Sequence, residues 1–384
     1  TAGDQEKRRY QQRNHLPTSP IFCGEHRASW YHPRPDVSRN ALILRPDSRS
    51  KLWLCCVMLC AVIGALTSFA APYSVATSSN ASVTVVVVEN PIATEAFRPR
   101  EEEILPMFET GLTRLFETNS ATSAWLQLVS TQDVIGLKVY SRPGPNSGTR
   151  PAVVAAVAKS LIAAGVPPQN IVIWDRDEVD LREAGFFQLA RELKVRAGAA
   201  TKAGWDEKAF YDNPIIGNPV FGDFEFEKKG EGVGRKSYVS KLVSQELTKI
   251  INITPLLNHN DAGVCGNLYS LALGSTDNII RFDVSADRLA TAVPELYAVP
   301  EIGDKVVLNI TDALICQYEG GQRGLLHYST MLNQLRISRD PVALDVLSLR
   351  ELDAQRRRTK APNLRPNVEL YRNAALLELG IADP

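Results

Sequence analysis

Short apolar runs alternate along the chain with segments of helical periodicity. The first run, SVTVVVV from Ser82 to Val88, is β-branched and almost uniformly apolar, which predicts a strand covered on both faces. From Glu101 to Phe116 the apolar residues fall largely on one helical face and acidic residues fill the first turn, which predicts an amphipathic helix. A second strand is predicted over Val134 to Tyr140. This order of elements is typical of an α/β protein.

The next segments form a β-α-β unit. After the loop 141–150, Pro151 suits the first turn of a helix, which runs to a glycine stop at Gly165, and a short loop leads into NIVIWD. The right-handed crossover rule makes the strand through Lys138 and the strand ending at Asp175 parallel members of one sheet. The predicted fold is therefore α/β, with a mainly parallel sheet flanked by helices in a single large domain.

Two later apolar runs end in polar residues. The run INITPLLNHN places His259 between Asn258 and Asn260, and the segment 309–321 places Asp312 before glycines that allow a close backbone turn. Ligands of parallel sheets bind outside the carboxyl ends of the strands. The two strand ends are therefore predicted to share one pocket.

Three further segments complete the predicted domain, which spans residues 83–384. Residues from about 198 to 234 interleave aromatic, glycine and charged positions, which predicts a β-rich insertion whose aromatic side chains cover the core or form a substrate lid. Asp340 before Pro341 predicts a capped helix start. Residues 367–380 predict a last amphipathic helix.

The N-terminal region differs from the rest of the chain. Residues 1–48 lack helical or strand periodicity, which is typical of disorder or of a wrongly assigned start site. In residues 49–72, two cations precede an uncharged run with small residues after it, which predicts a secretory signal and export to the periplasm or the exterior. The alternative is a membrane anchor, because the uncharged stretch 52–72 reaches the ~20 residues that span a bilayer.

Composition and charge exclude several function classes. The 384 residues are 44% hydrophobic and 22% charged, which is typical of a globular protein. The net charge is zero, but the first 51 residues hold ten Lys and Arg against five acids, so the remainder is mildly acidic and does not favour nucleic-acid binding. The chain has no GxGxxG, GxxxxGK[ST] or GxSxG motif, and so it gives no support to dinucleotide, P-loop or serine-hydrolase sites.

Cysteine usage limits the metal chemistry. Four of the six cysteines precede residue 61, which leaves Cys265 and Cys316 in the predicted domain. With no CxxC pair, a four-cysteine iron–sulfur cluster or structural zinc site is disfavoured. The two remaining cysteines lie in apolar sequence, which favours buried free thiols over the alternative of a disulfide.

Several side chains at the predicted strand ends are candidates for chemistry. Lys138 is a candidate catalytic residue because a lysine at the end of a buried strand needs an acid or an anionic ligand. His259 is a candidate acid–base residue, or a loop histidine hydrogen-bonded at a turn. The candidate metal ligands are Asp175, His259 and Asp312, where Asp175 has the alternative of capping the next helix. The candidate ligand-binding residues are Asn146, Thr149, Asn258 and Asp345. The run Arg356–Arg358 is interpreted as a solvated helix end.

A family resemblance rests on several motifs taken together. LKVYSRPGPNSGTRPAVVAAVAKSLIAAG, NIVIWD, INITPLLNHNDAGVCGNL, LNITDAL and SRDPVALD occur in this order, and the chain from Val83 to Arg356 resembles the domain-of-unknown-function 362 family. It looks most like the exported variant without ferredoxin-type cysteines. The resemblance matches Lys138, Thr149, Pro151, Asp175, His259, Asp312, Asp340 and Asp345 to family positions. The family usually has lysine at the position of Leu257 and Lys-Asn at Tyr269 and Ser270, so two cationic positions are lost.

Two hypotheses of function follow. The first is an exported enzyme that acts on a small molecule in the polar pocket at the strand ends, assisted by a divalent metal. The alternative is a non-catalytic periplasmic ligand-binding or accessory protein that keeps the fold, as the departures at Leu257, Tyr269 and Ser270 suggest. Both hypotheses expect a small-molecule ligand, and neither indicates an iron–sulfur cluster or a nucleic-acid partner. Membrane contact is expected only through residues 52–72, if they are uncleaved.

Overall fold

A mainly parallel sheet forms the centre of the molecule. The structure, a computed structural model, describes residues 83–213, 234–362 and 366–383. The strands are, in chain order, β1 Val85–Glu89, β2 Thr94–Glu95, β3 Arg98–Pro99, β4 Ile135–Val139, β5 Ile171–Asp175, β6 Arg196–Ala199, β7 Trp205–Asp212, β8 Lys236–Ser240, β9 Lys249–His259, β10 Gly263–Val264, β11 Val306–Gln317 and β12 Ser329–Ser338.

Helices connect the strands and cover the sheet. They are α1 Glu101–Leu115, α2 Ala121–Trp125, α3 Pro151–Ala163, α4 Glu178–Glu183, α5 Phe186–Leu193, α6 Ala200–Ala203, α7 Asn267–Ser275, α8 Ala286–Tyr297, α9 Pro300–Gly303, α10 Pro341–Thr359 and α11 Val368–Leu376. Asp340 caps α10 by accepting a hydrogen bond from the Ala343 N–H at 2.8 Å, as the sequence predicted. In α11, Leu370 and Ala374 are buried.

The strand order confirms the predicted fold class. The sheet runs β1-β12-β11-β9-β4-β5-β6, with β10 folded back onto β9. The five strands from β11 to β6 are parallel neighbours, whereas β12 is antiparallel to both β11 and β1. The predicted parallel pairing of β4 with β5 is therefore confirmed, and β9 and β11 lie side by side, so that their carboxyl ends share one edge of the sheet.

Strand alternation separates two cores, one on each face of the sheet. In β4, Ile135, Leu137 and Val139 face the core that α1, α2, α3 and α5 cover. The alternate residue Lys138 points to the opposite face, where apolar residues of α7, α8 and α10 form the second core. Lys138 is thus inserted beneath a helix rather than toward water, and none of its surface is exposed.

The prediction that the first strand is covered on both faces is wrong. Val87 in β1 is 49% exposed, because β1 lies at the end of the sheet and pairs with β12 alone among the described strands. An uninterrupted β-branched run predicts that a segment is a strand. It does not predict whether that strand is central or at the edge of the sheet, because both kinds of strand favour the same residues.

Several predictions concern residues beyond the described ones. Residues 1–48 and 49–72 lie outside the described residues, as does most of the insertion predicted at about 198–234. The described strand of that segment, β7, pairs antiparallel with β8, which follows the segment. Within the described part of the chain, no helix is both long and apolar enough to cross a membrane. Cys265 and Cys316 are buried free thiols, in agreement with the favoured prediction.

Candidate functional site at the carboxyl ends of the strands

Lys138 is held by protein groups on every side. Its ammonium donates to the Val139 carbonyl at 2.7 Å, to Asp175 Oδ1 at 2.8 Å and to Ser270 Oγ at 3.0 Å. Burial lowers the pKa of Lys138, and the neighbouring Asp175 carboxylate opposes that effect. All three ammonium protons are therefore engaged, and none is left for a substrate.

Asp175 is equally occupied. Oδ1 accepts from Lys138 and from the Arg176 N–H at 2.8 Å, while Oδ2 accepts from the Ser141 N–H at 2.8 Å and from Ser141 Oγ at 2.6 Å. The carboxylate thereby ties the ends of β4 and β5 together. It does not cap α4, where no side chain accepts a hydrogen bond from the first helical turn.

Helix α7 closes over this ion pair. A Cβ added at Gly274 would lie 2.2 Å from Lys138 Cε and 2.7 Å from Nζ, so a larger residue there would push the lysine away from its present partners. Ser270 supplies the third acceptor for Lys138. The ring of the residue before it, Tyr269, lies tilted against the His259 ring, with the centroids 4.4 Å apart. Tyr269 and Ser270 thus fill the space above the strand ends with protein side chains.

His259 is fixed by its own backbone turn. Its Nδ1 accepts from the Asp261 N–H at 3.2 Å and from the Ala262 N–H at 3.0 Å. A backbone N–H cannot reverse, and so Nδ1 is the acceptor and the neutral ring carries its proton on Nε2. Burial, assisted by the charge of Arg142, lowers the pKa of His259 to about 4, which keeps the ring neutral.

The protonated Nε2 limits what His259 can do. A general base or a metal ligand at Nε2 needs a lone pair there, and that tautomer would turn an Nδ1–H against two backbone N–H groups. Nε2 lies 2.5 Å from Gln322 Nε2, and a proton on His259 Nε2 requires the Gln322 amide to turn its oxygen toward His259 and away from Arg142. His259 is therefore suited to donating a hydrogen bond.

A polar network continues from His259 to the rim. One end of the Gln322 amide also contacts the Tyr269 hydroxyl at 2.8 Å, and its other end lies 2.8 Å from Arg142 Nη1. The Tyr269 hydroxyl in turn donates to Asp283 at 3.2 Å, and burial raises the pKa of that carboxyl. The network links the loops after β4 and β11 to α7.

Asp312 binds the residue that precedes α3. Its Oδ2 accepts from the Arg150 N–H at 3.0 Å, and Arg150 Nη1 lies 3.0 Å from Oδ1, with both side chains almost wholly buried. Removing one partner of such a buried pair typically costs about 3–5 kcal/mol. Asp312 thus fixes the helix to the sheet.

The structure does not gather the three candidate metal ligands. Asp175, His259 and Asp312 each have separate protein partners, and among residues 83–213, 234–362 and 366–383 no three His, Cys, Asp or Glu side chains could jointly hold a metal ion. A divalent metal would have to displace Lys138 or Arg150 before it could reach either carboxylate.

The four candidate ligand-binding residues are placed differently from one another. Thr149 is buried, accepts from the Tyr140 N–H and donates to the Ile253 carbonyl. Asn258 accepts from the Gly321 N–H at 3.1 Å, which ties β9 to the loop after β11. Asn146 is exposed on the loop 141–150.

Asp345 lies in the core beneath α7. It accepts from the Asn267 and Leu268 N–H groups at 2.7 and 2.9 Å, where the helix dipole favours a negative charge. Burial nevertheless raises the pKa of Asp345 to about 7. Asp345 therefore faces neither the pocket nor solvent.

Two cavities adjoin the strand ends. The smaller, about 60 Å³, lies between Tyr140, Asp175, Asp180, Tyr269 and Asp283. Burial, together with nearby carboxylates, raises the pKa of Asp180 to about 6. The larger, about 470 Å³, lies between the β9–β10 turn, α10 and α11. Only the larger reaches the 300–1,000 Å³ that is typical of small-molecule sites.

Sequence reasoning missed two residues of this region. Arg356, interpreted as part of a solvated helix end, is only 4% exposed and lines the larger cavity, because helical periodicity turns it inward one turn after the buried Leu352. Gln322 carried no signal, since nothing in a polar loop shows that it will reach His259. The position of Arg356 relative to Leu352 could have identified it.

Comparisons with known proteins bear on the family. A search of curated proteins found no match. A crystal structure of a structural-genomics protein from Thermotoga maritima is 14% identical to this chain, with a TM-score of 0.34. That alignment covers 57% of this chain and 51% of the other, so the match spans about half of that protein.

The sequence signature described as "Domain of unknown function (DUF362)" matches residues 135–350. That range is more than half of the chain and holds the five parallel strands β4, β5, β6, β9 and β11. It also holds the polar residues toward their ends, Lys138, Asp175, His259 and Asp312. The chain belongs to the DUF362 family.

Proposed function

We propose that this chain is an exported, non-catalytic protein that binds a small molecule. The observation that carries the proposal is the saturation of the groups at the strand ends. Lys138 has no spare proton, Asp175 accepts four hydrogen bonds, and His259 has no lone pair to offer at Nε2. A metal-assisted enzyme needs at least one of these groups free for substrate, water or metal.

The departures from the family pattern support the same proposal. The resemblance places Tyr269 and Ser270 where the family usually has lysine and asparagine. In this chain Tyr269 lies against the His259 ring, and Ser270 accepts from Lys138. Leu257, at the third position, is wholly buried in the core. The positions where cations would meet an anionic substrate instead contribute packing and internal hydrogen bonds.

The larger cavity supports binding. It has a volume of about 470 Å³, and His259 and Asn260 at the end of β9 form part of its wall. Export rests on the N-terminal pattern in residues 49–72, which has cations, an uncharged run and small residues in the order of a secretory signal.

Native mass spectrometry tests the proposal. The full chain is expressed with its N-terminus intact, recovered from the exported fraction, and weighed under native and denaturing conditions. We expect the native mass to exceed the denatured mass by that of one organic molecule, and the mature chain to start near Ala71. Equal masses from freshly purified protein would contradict binding, and a chain retained in the cytoplasm would contradict export.

A further inference from the structure

We propose that the cavity between α10, α11 and the β9–β10 turn binds an apolar molecule carrying one carboxylate, with Arg356 as its anchor. This inference rests on the proposed binding function and adds its site and ligand class. It concerns side chains outside the cluster of Lys138, Asp175 and Asp312.

The cavity walls are mainly apolar. Val346 and Leu349 of α10 face Val368 and Tyr371 of α11 across it. At Gly263, which has a φ of 92°, an added Cβ would lie 2.6 Å from Leu349 Cδ2, so the turn packs against the helix without a side chain of its own. The Tyr371 hydroxyl donates to the Ala262 carbonyl at 2.9 Å, which leaves its ring as a wall. Such walls favour a hydrocarbon or aromatic ligand.

Arg356 places a mostly buried guanidinium in this wall. The side chain is 4% exposed, and its Nε donates to the Tyr318 carbonyl at 2.8 Å. Its Nη2 is buried and has no hydrogen-bond partner among the described residues. The guanidinium also borders the cavity, where an anionic acceptor would gain a charge-assisted hydrogen bond.

The neighbouring charges define the ligand further. At the cavity rim, Arg350 pairs with Asp383 at 2.9 Å and Arg372 with Glu369 at 2.7 Å. Asp353, also on the wall, pairs with Arg357 at 2.8 Å. These charges already have partners on the protein surface.

Glu319 limits the negative charge that the cavity accepts. Its Oε2 lies 3.8 Å from Arg356 Nε, too far for a hydrogen bond, and is itself buried without a hydrogen-bond partner among the described residues. A single carboxylate can pair with the Arg356 guanidinium, whereas a phosphate dianion would add a second charge close to Glu319. A monocarboxylate is therefore the ligand class that fits.

Calorimetric titration of the full chain with decanoate, and with decanol as its neutral match, tests the proposal. We expect saturable decanoate binding tighter than about 1 mM, and decanol binding at least about tenfold weaker, since a charged acceptor strengthens the bond to arginine. Arg356→Gln should weaken decanoate about tenfold or more and leave decanol unchanged. Arg358→Gln, which removes the same charge from an exposed position of α10, should change neither.

Arg356→Lys keeps the charge, and we expect its affinity for decanoate to lie between those of the wild type and Arg356→Gln. It replaces Arg356→Gln in the test if that variant does not fold. Equal binding of decanoate and decanol, or decanoate affinity unaffected by Arg356→Gln, overturns the proposal. An organic molecule that co-purifies while decanoate fails to bind leaves the binding function intact and removes this ligand class. If nothing co-purifies and decanoate does not bind, both fail.

Discussion

His259 illustrates how two backbone donors decide what an imidazole can do. The Asp261 and Ala262 N–H groups point at Nδ1, and both belong to the turn that follows β9. The ring therefore stays in one tautomer and, with its pKa lowered to about 4 by burial and by Arg142, in one charge state at neutral pH. This geometry favours a structural and hydrogen-bond-donating role.

Replacement by asparagine should preserve that turn, because Asn Oδ1 can take the place of Nδ1. We expect His259→Ala to lose about 1–3 kcal/mol more unfolding free energy than His259→Asn, since it leaves two buried donors unmet. Urea denaturation of both variants at neutral pH measures the difference. Equal stability of the two variants would show that the two N–H groups do not depend on an acceptor at this position.

The pH dependence of His259 has a definite sign. Its folded pKa of about 4 lies below the ordinary histidine value of 6.5, so between these values the unfolded chain binds the extra proton and acid favours unfolding. Relative to His259→Asn, the wild type should keep a constant stability difference above pH 7 and lose on the order of 3 kcal/mol as the pH falls from 6.5 to 4. A difference that does not change with pH would contradict a buried neutral ring.

At the residue scale, the sequence predicted where the polar side chains lie better than it predicted which groups they contact. Lys138, Asp175 and His259 do lie at strand ends, because each directly follows or ends an apolar run. Their partners come from distant segments. Ser270 and Gly274 reach Lys138 only because α7 crosses the end of β4, and no local pattern encodes that crossing.

At the element scale, one hydrogen bond in β1 shows which of its N–H groups point toward β12. The Asn90 N–H donates to the Asn333 carbonyl at 3.0 Å, so alternation turns the N–H of Val88 toward β12 as well. The N–H of Val87 then points to the open edge of the sheet. Proline is tolerated in a strand only where the missing N–H faces solvent.

Val88→Pro should therefore lower the unfolding free energy by about 1–3 kcal/mol more than Val87→Pro, because only the former removes a donor to β12. Urea denaturation of the two variants, with Val87→Thr as a control for lost apolar surface, measures the difference. If Val87→Pro is the more damaging variant, the register between β1 and β12 is not the one described.

The elements were predictable to different degrees. The β4-α3-β5 unit was readable because proline, glycine and an apolar run mark its boundaries within one short segment. The edge position of β1 was not, since it depends on pairing with β12 at the other end of the domain. Asp340 was readable as a cap because capping is a local interaction.

At the scale of the whole molecule, the carboxyl edge of the parallel strands is closed by the protein's own groups. The Lys138–Asp175 and Arg150–Asp312 pairs fasten loops and helices to the sheet. The larger cavity lies beside this edge, between α10, α11 and the β9–β10 turn. The central claim is that the polar residues at the strand ends stabilise the fold, whereas the cavity binds the ligand.

Elemental analysis of the purified full chain, with His259→Ala and Asp175→Ala prepared beside it, tests this claim most directly. We expect no metal near one equivalent in the wild type or in either variant, because His259 offers no lone pair at Nε2 and Asp175 is occupied by Lys138 and Ser141. Near-stoichiometric metal in the wild type that disappears in both folded variants would contradict the claim. It would support the hypothesis of a metal-assisted enzyme instead.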